Sequence, residues 1–189
     1  TAKRQRWWIS MKGVIFLAGI YGTGKTTVGK ELSARLSIPC FQASELISEW
    51  NGEQYETTKH VKDVRNNQDI LAAAVADLRT KHEAFILTGH FAIFNKVHEV
   101  TEIPQEVFRR LGLSAIVLLE TTTKRVIQHI RGRDGKEYAE AQIDALAQAE
   151  RRLAEQTAKQ NGIPLHTRQM NFHTDCAEIR KFIQVGENT

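Results

Sequence analysis

Residues 13–32 read GVIFLAGIYGTGKTTVGKEL, and the order of apolar run, glycines and helix pattern in this stretch decides the fold. Gly13 to Ala18 is a short apolar run, the pattern of a buried strand. From Thr26 to Leu36 the apolar residues Val28, Leu32 and Leu36 recur every four positions, the pattern of an amphipathic helix. Between them lies Gly19-x-x-x-x-Gly24-Lys25-Thr26, the spacing of a phosphate-binding loop. A phosphate chain needs several backbone N–H groups pointing inward, and a glycine-rich turn lets the backbone wrap closely enough to supply them. The helix that follows aims the positive end of its dipole at the anion. Gly19, Gly22, Thr23, Gly24, Lys25, Thr26 and Thr27 are therefore the candidate nucleotide-binding residues, with Lys25 reaching the outer phosphates and the Thr26 hydroxyl holding magnesium. ATP and Mg²⁺ are the expected ligands.

Outward from this loop, strand and helix alternate. Ile38–Phe41 reads as a strand, with Ser44 as N-cap of a helix over Glu45–Trp50. Residues 51–60 read as a polar loop, Lys62–Lys81 as a helix, and Ala84–Leu87 and Ala115–Leu119 as buried strands. Residues 89–104 fit neither period. Pro104 opens a short helix, Gln105–Leu111. Thr121–Ile130 is helical, Arg131–Lys136 (RGRDGK) breaks the pattern, and a long helix runs over about Tyr138–Asn161. Ile163–His166 fits a last strand and Asp175–Val185 a last helix. Strands separated by helices imply right-handed crossovers and a mostly parallel sheet. The expectation is one α/β domain over residues 11–189, with residues 1–10 an extension outside the fold.

Two further constellations bear on chemistry. In Arg131-Gly132-Arg133-Asp134-Gly135-Lys136, two guanidinium groups at a glycine-flanked break can swing over a triphosphate and neutralise a transferring phosphoryl group. Closing such a lid, about residues 131–138, would also exclude water as a competing acceptor. Arg151, on the long helix behind, can point back to the phosphates, whereas Arg152 reads as part of a charged face with Glu150 and Glu155. His90 follows a strand end, where it could orient an acceptor. Ser44 and Arg65 are further acceptor-side candidates.

The 189 residues are 41% apolar and 25% charged, the balance of an ordinary globular protein. No apolar run approaches the roughly 18–20 residues of a membrane-spanning helix. The net charge of +4 includes Lys3, Arg4 and Arg6 of residues 1–10, which hold no acid, so +1 remains for the rest. That is a weak footprint for a nucleic-acid partner. Cys40 and Cys176 cannot build a disulfide framework and fit the cytoplasm. The seven histidines show no spacing for a zinc site.

The chain resembles small P-loop nucleotide kinases, most closely the archaeal-type adenylate kinases and their uncharacterised relatives. GIYGTGKTTV (19–28) is similar to their phosphate loop, and Leu87-Thr88-Gly89-His90 to their Asp-Thr-His segment. Ile103–Val107 resembles the proline-containing turn that follows it. Ile130–Asp134, and the Ile143–Ala154 helix with Arg151, resemble the lid arginines and the arginine behind them. The resemblance implies a three-layer α/β/α P-loop fold with a small mobile helical lid and a nucleoside monophosphate site near residues 41–68. It implies Lys25 and Thr26 as phosphate and magnesium residues, and Arg131, Arg133 and Arg151 as lid-side charge stabilisers. The chain departs from the pattern twice: Thr88 stands where an aspartate is expected, and FQASELISEW (41–50) has no arginine to grip an acceptor phosphate.

The expected function is transfer of the γ-phosphoryl group of Mg-ATP to a small acceptor, with a nucleoside monophosphate first. Two alternatives stand beside it. One is a kinase of a hydroxyl acceptor (nucleoside, sugar or polynucleotide end). The other is a P-loop ATPase or nucleotide switch acting on a protein partner.

Overall fold

The computed structural model describes residues 13–51, 64–135 and 137–170. The expected extension over 1–10, most of the loop over 51–60 and the last helix over 175–185 lie outside the described residues. The elements are β1 (Gly13–Ala18), α1 (Lys25–Leu36), β2 (Cys40–Gln42), α2 (Ala43–Asn51), α3 (Val64–Lys81), β3 (Ala84–Thr88), β4 (Ala92–Phe94), β5 (Val100–Glu102), α4 (Gln105–Leu111), β6 (Leu113–Glu120), α5 (Thr123–Asp134), α6 (Glu140–Asn161) and β7 (Leu165–Gln169).

Five strands form one parallel sheet in the order β2-β3-β1-β6-β7. The central strands are apolar at nearly every position because helices cover both faces. Alternate residues of β1 serve the two sides. Val14, Phe16 and Ala18 face a core shared with α3, α4, α5 and α6, while Ile15 and Leu17 pack with Val28 and Leu32 of α1. The β1 connection leads out to β2 on one side and the β6 connection to β7 on the other. The crevice of such a sheet opens where the order diverges, outside the C-terminal ends of the strands. Gly19 and Glu120 sit at those ends.

The structure corrects three expectations and assigns one stretch that the sequence left open. Helix α2 begins at Ala43, directly out of β2, so Ser44 is an exposed residue of its first turn and not its N-cap. Residues 89–104 contain an antiparallel hairpin, β4–β5, separate from the main sheet. Its turn is held by the Asn95 Oδ1, which accepts from the N–H groups of Val97 and Glu99 at 3.0 and 2.9 Å. Helix α5 does not break at Arg131 but runs on to Asp134. Gly132 is tolerated inside a helix at about 1 kcal/mol. The stop is Gly135, left-handed at φ 63°, whose N–H donates to the Arg131 carbonyl at 3.1 Å. Finally, Glu150 is not part of a charged face: it is 2% exposed.

Candidate active site

The phosphate loop leaves β1 at Gly19 and enters α1 at Lys25. Its glycines Gly19, Gly22 and Gly24 have φ of 149°, 77° and 88°, a backbone path that side chains resist. At Gly19 a Cβ would lie 2.6 Å from both the Leu119 carbonyl oxygen and the Thr23 Oγ1. Thr23 is buried and donates to the Ile20 carbonyl at 2.9 Å, so its hydroxyl shapes the loop from within. The Lys25 Nζ donates to the carbonyls of Gly19 at 2.6 Å and Ile20 at 2.9 Å, which places the ammonium across the loop mouth. Thr26 and Thr27 are exposed in the first turn of α1.

The segment after β3 forms the opposite wall. Thr88, paired with Leu17 of β1 and Gln42 of β2, is 5% exposed. Its methyl faces α1, lying 3.3 Å from where a Cβ on Gly29 would be. His90 packs its ring 4.8 Å from that of Tyr21, inside the phosphate loop. Tyr21 also stacks towards Phe94 of the hairpin at 6.2 Å, and Phe94 on Tyr138 at 5.0 Å. A row of rings thus runs from the strand end, past the loop, to Tyr138, two residues before α6.

Helix α5 lies against the loop through His129, whose Cβ is 3.4 Å from where a Cβ on Gly22 would be. Arg131 follows two residues later, exposed and 3.1 Å from Glu137. The backbone of Arg133 belongs to α5 and that of Arg65 to α3, but the placement of both side chains, and Lys136 as a whole, lie outside what the structure describes. Arg151 donates from Nε at 2.7 Å, and from a second nitrogen, to the two carboxylate oxygens of Glu120 at the end of β6. This bidentate bond raises its already high pKa. Arg152 pairs with Glu102 of the hairpin.

Glu150 is the residue that sequence reasoning misplaced. Its Oε1 accepts from the Gly19 N–H at 2.9 Å, and its Oε2 accepts from the N–H groups of Phe91 and Ala92, each at 2.8 Å. Burial pushes its carboxyl up to about 7, although the Lys25 charge and the three N–H donors work in the other direction. The signal was present in the helical period. Ile143, Leu146, Leu153 and Ala154 are the buried stripe of α6, and Glu150 falls seven residues after Ile143 and four after Leu146, on that stripe.

Among the described residues no group of three metal-ligating side chains occurs, and no helix is long and apolar enough to cross a membrane. Cys40 packs its sulfur against Gly29, and burial raises its thiol pKa.

A parallel sheet with a glycine loop and lysine at its C-terminal edge defines a P-loop nucleotide-binding domain. The chain belongs to the AAA_17 family, described as an AAA domain, whose family model matches residues 18–147. Two curated relatives are both kinases. A shikimate kinase of Dechloromonas aromatica (strain RCB) is 32% identical over 113 residues, 57% of this chain and 59% of that protein. A cytidylate kinase of Methanothermobacter thermautotrophicus is 32% identical over 87 residues, 42% of this chain and 54% of that protein. The chain thus spans little more than half the length of these relatives. In fold it is similar to a shikimate kinase from Acinetobacter baumannii solved in complex with shikimate, at a TM-score of 0.65 and 19% identity, covering 96% of both chains. It is also similar to a gluconokinase from Sinorhizobium meliloti 1021, at 0.55 and 13%, covering 94% and 95%. The expected three-layer α/β/α P-loop fold and the resemblance to small P-loop kinases hold.

Proposed function

We propose that the protein is a phosphotransferase that moves the γ-phosphoryl group of Mg-ATP to a hydroxyl of a small acceptor. The reading rests above all on an imidazole lying beside the donor loop, with the His90 ring 4.8 Å from that of Tyr21. The acceptor oxygen attacks the γ-phosphorus, the bond from phosphorus to the β,γ-bridging oxygen breaks, ADP leaves, and His90 takes the hydroxyl proton. Lys25 exchanges its carbonyl partners for the outer phosphates, and the loop N–H groups hold the chain in line. Arg131, Arg133 and Arg151 serve as lid-side charge stabilisers, α5 already lying beside the loop at Gly22.

Magnesium, when bound with the nucleotide, supplies charge neutralisation at the phosphate oxygens. The donor set suits that hard ion. The exposed Thr26 hydroxyl is available on the nucleotide side, while Glu120 and Glu150 are engaged by Arg151 and by backbone N–H groups. A soluble enzyme of the cytoplasm, acting on a small molecule without nucleic acid or membrane, accords with this reading.

A hydroxyl acceptor takes precedence over the nucleoside monophosphate expected at first. The curated relative that matches more of this chain is named a shikimate kinase, and an imidazole beside the phosphate loop, that of His90, supports a base for a hydroxyl. The monophosphate reading is supported by the relative named a cytidylate kinase and needs no base. Comparing wild type and His90→Asn on sugar, polyol, hydroxy-acid and nucleoside monophosphate acceptors separates them. Loss of about 10²–10⁴-fold in kcat on a hydroxyl acceptor supports the base. Turnover on a monophosphate alone, unchanged in the variant, would establish the second reading.

A further inference from the structure

The donor loop and the acceptor wall come from distant parts of the chain, and one buried carboxylate touches both. Glu150 of α6 accepts from Gly19, the first amide of the phosphate loop, and from Phe91 and Ala92, directly after His90. Its partners lie 131, 59 and 58 residues away in the chain. No strand pairing joins these two backbone segments at that level: β1 and β3 are paired only as far as Leu17 with Thr88. Beyond that pair, the Gly89 N–H donates to the Leu17 carbonyl at 3.1 Å and the two chains diverge. The Glu150 carboxylate spans the divergence. A carboxylate is the side chain that can do so, because both oxygens accept and neither donates.

We propose that Glu150 is a positioning residue for phosphoryl transfer, fixing the phosphate loop and the His90 turn at the separation that in-line attack requires. The proposal builds on the phosphotransferase reading above and adds a residue that touches neither nucleotide nor acceptor. A buried ionisable group is costly to keep unless its partners are in place. Here its hydrogen-bond partners are backbone N–H groups at the edge of the cleft, with the Lys25 charge beside them, so the cost is incurred where the two reacting groups must be aligned. A misplacement of about 1 Å is enough to lower turnover about a hundredfold.

The test uses Glu150→Gln. The amide has nearly the shape of the carboxylate but a single acceptor oxygen. It can serve Gly19 or the Phe91–Ala92 pair, never both, because its NH₂ group would then face an N–H donor. The loop amides beyond Gly19 make no hydrogen bond to Glu150, so a nucleotide affinity close to wild type is expected. Three readouts are taken on the full chain: the Kd of Mg-ADP by calorimetry, kcat and KM with the best acceptor, and amide hydrogen exchange at Gly19, Phe91 and Ala92.

The expected result is a Kd within about threefold of wild type, a kcat lowered about 10–100-fold, and faster exchange on at least one side of the bridge. A variant with wild-type kcat overturns the proposal. So does a parallel loss of nucleotide affinity and turnover, which would make Glu150 a support of the loop alone. Should wild type bind Mg-ATP yet show no acceptor-dependent turnover, the phosphotransferase reading fails on its own. The bridge is then judged by exchange. Faster exchange at unchanged Kd upholds it as the tie between the two segments, and unchanged exchange overturns it.

Discussion

The two walls of the cleft are built by opposite means. The donor wall is mostly local: Gly19 to Thr27 follow one another, their glycines set the backbone path and Lys25 crosses the mouth, with Glu150 reaching the loop only at Gly19. The opposite wall, after β3, is assembled from afar. Thr88 to Ala92 are held by β1, by the ring of Tyr21 and by Glu150 from a helix 58 residues further on. A contiguous loop tolerates change everywhere except at its own atoms, whereas an assembled wall can be undone from a distance.

The largest effect belongs to the local wall. Gly19→Ala puts a methyl 2.6 Å from a backbone carbonyl at a φ of 149°. That carbonyl is backbone and cannot rotate aside, so the loop must shift. We expect a loss of about 2–3 kcal/mol in stability and of measurable ATP binding. Urea unfolding and calorimetry check this, and wild-type affinity in the variant would show that the loop path is less constrained than its geometry indicates.

The assembled wall carries a pH dependence. The Glu150 carboxyl titrates at about 7 in the folded chain against an ordinary 4.5. Between those values the folded protein holds a proton that the unfolded chain has released. This contribution to stability is complete below pH 4.5 and is lost as pH rises through about 7. Glu150→Gln does not titrate. The stability of wild type relative to this variant therefore falls between pH 5 and 8, measured by urea unfolding at both. Two parallel pH curves would show that burial does not govern this carboxyl.

The smallest effect on stability, and a sharper one on function, is expected at Arg151. Its pair with Glu120 is more than half exposed on the arginine side, so Arg151→Ala should cost no more than about 1 kcal/mol. If the guanidinium also steadies the transferring phosphoryl group, kcat falls at least about tenfold in the same variant. A change in melting temperature without a change in kcat would confine Arg151 to its pair.

The contrast also explains what the sequence made legible. β1, α4 and the bounds of the long helices follow from periodicity and from Pro104, because each is a local pattern. The phosphate loop was readable for the same reason. The hairpin was not, since β4 and β5 are three residues each and their register depends on the Asn95 turn. The end of α5 was placed at Arg131 because Gly132 and Gly135 look alike in sequence. Only Gly135 adopts the left-handed conformation that closes the helix. Glu150 shows the same limit at the site. Its place on the apolar stripe of α6 was visible, but its three partners lie in segments that only tertiary structure brings together.

The central claim, that this loop donates a phosphoryl group to a small acceptor, is tested most directly by following the label from [γ-³²P]ATP with Mg²⁺. Wild type and Lys25→Ala are compared over hydroxyl and monophosphate acceptors. The account predicts that the label appears on one acceptor class, with ADP formed in equal amount, and that the variant loses at least about 10²-fold of that transfer. Label found only in inorganic phosphate, at a rate no acceptor changes, would contradict it and mark the protein as a nucleotide hydrolase.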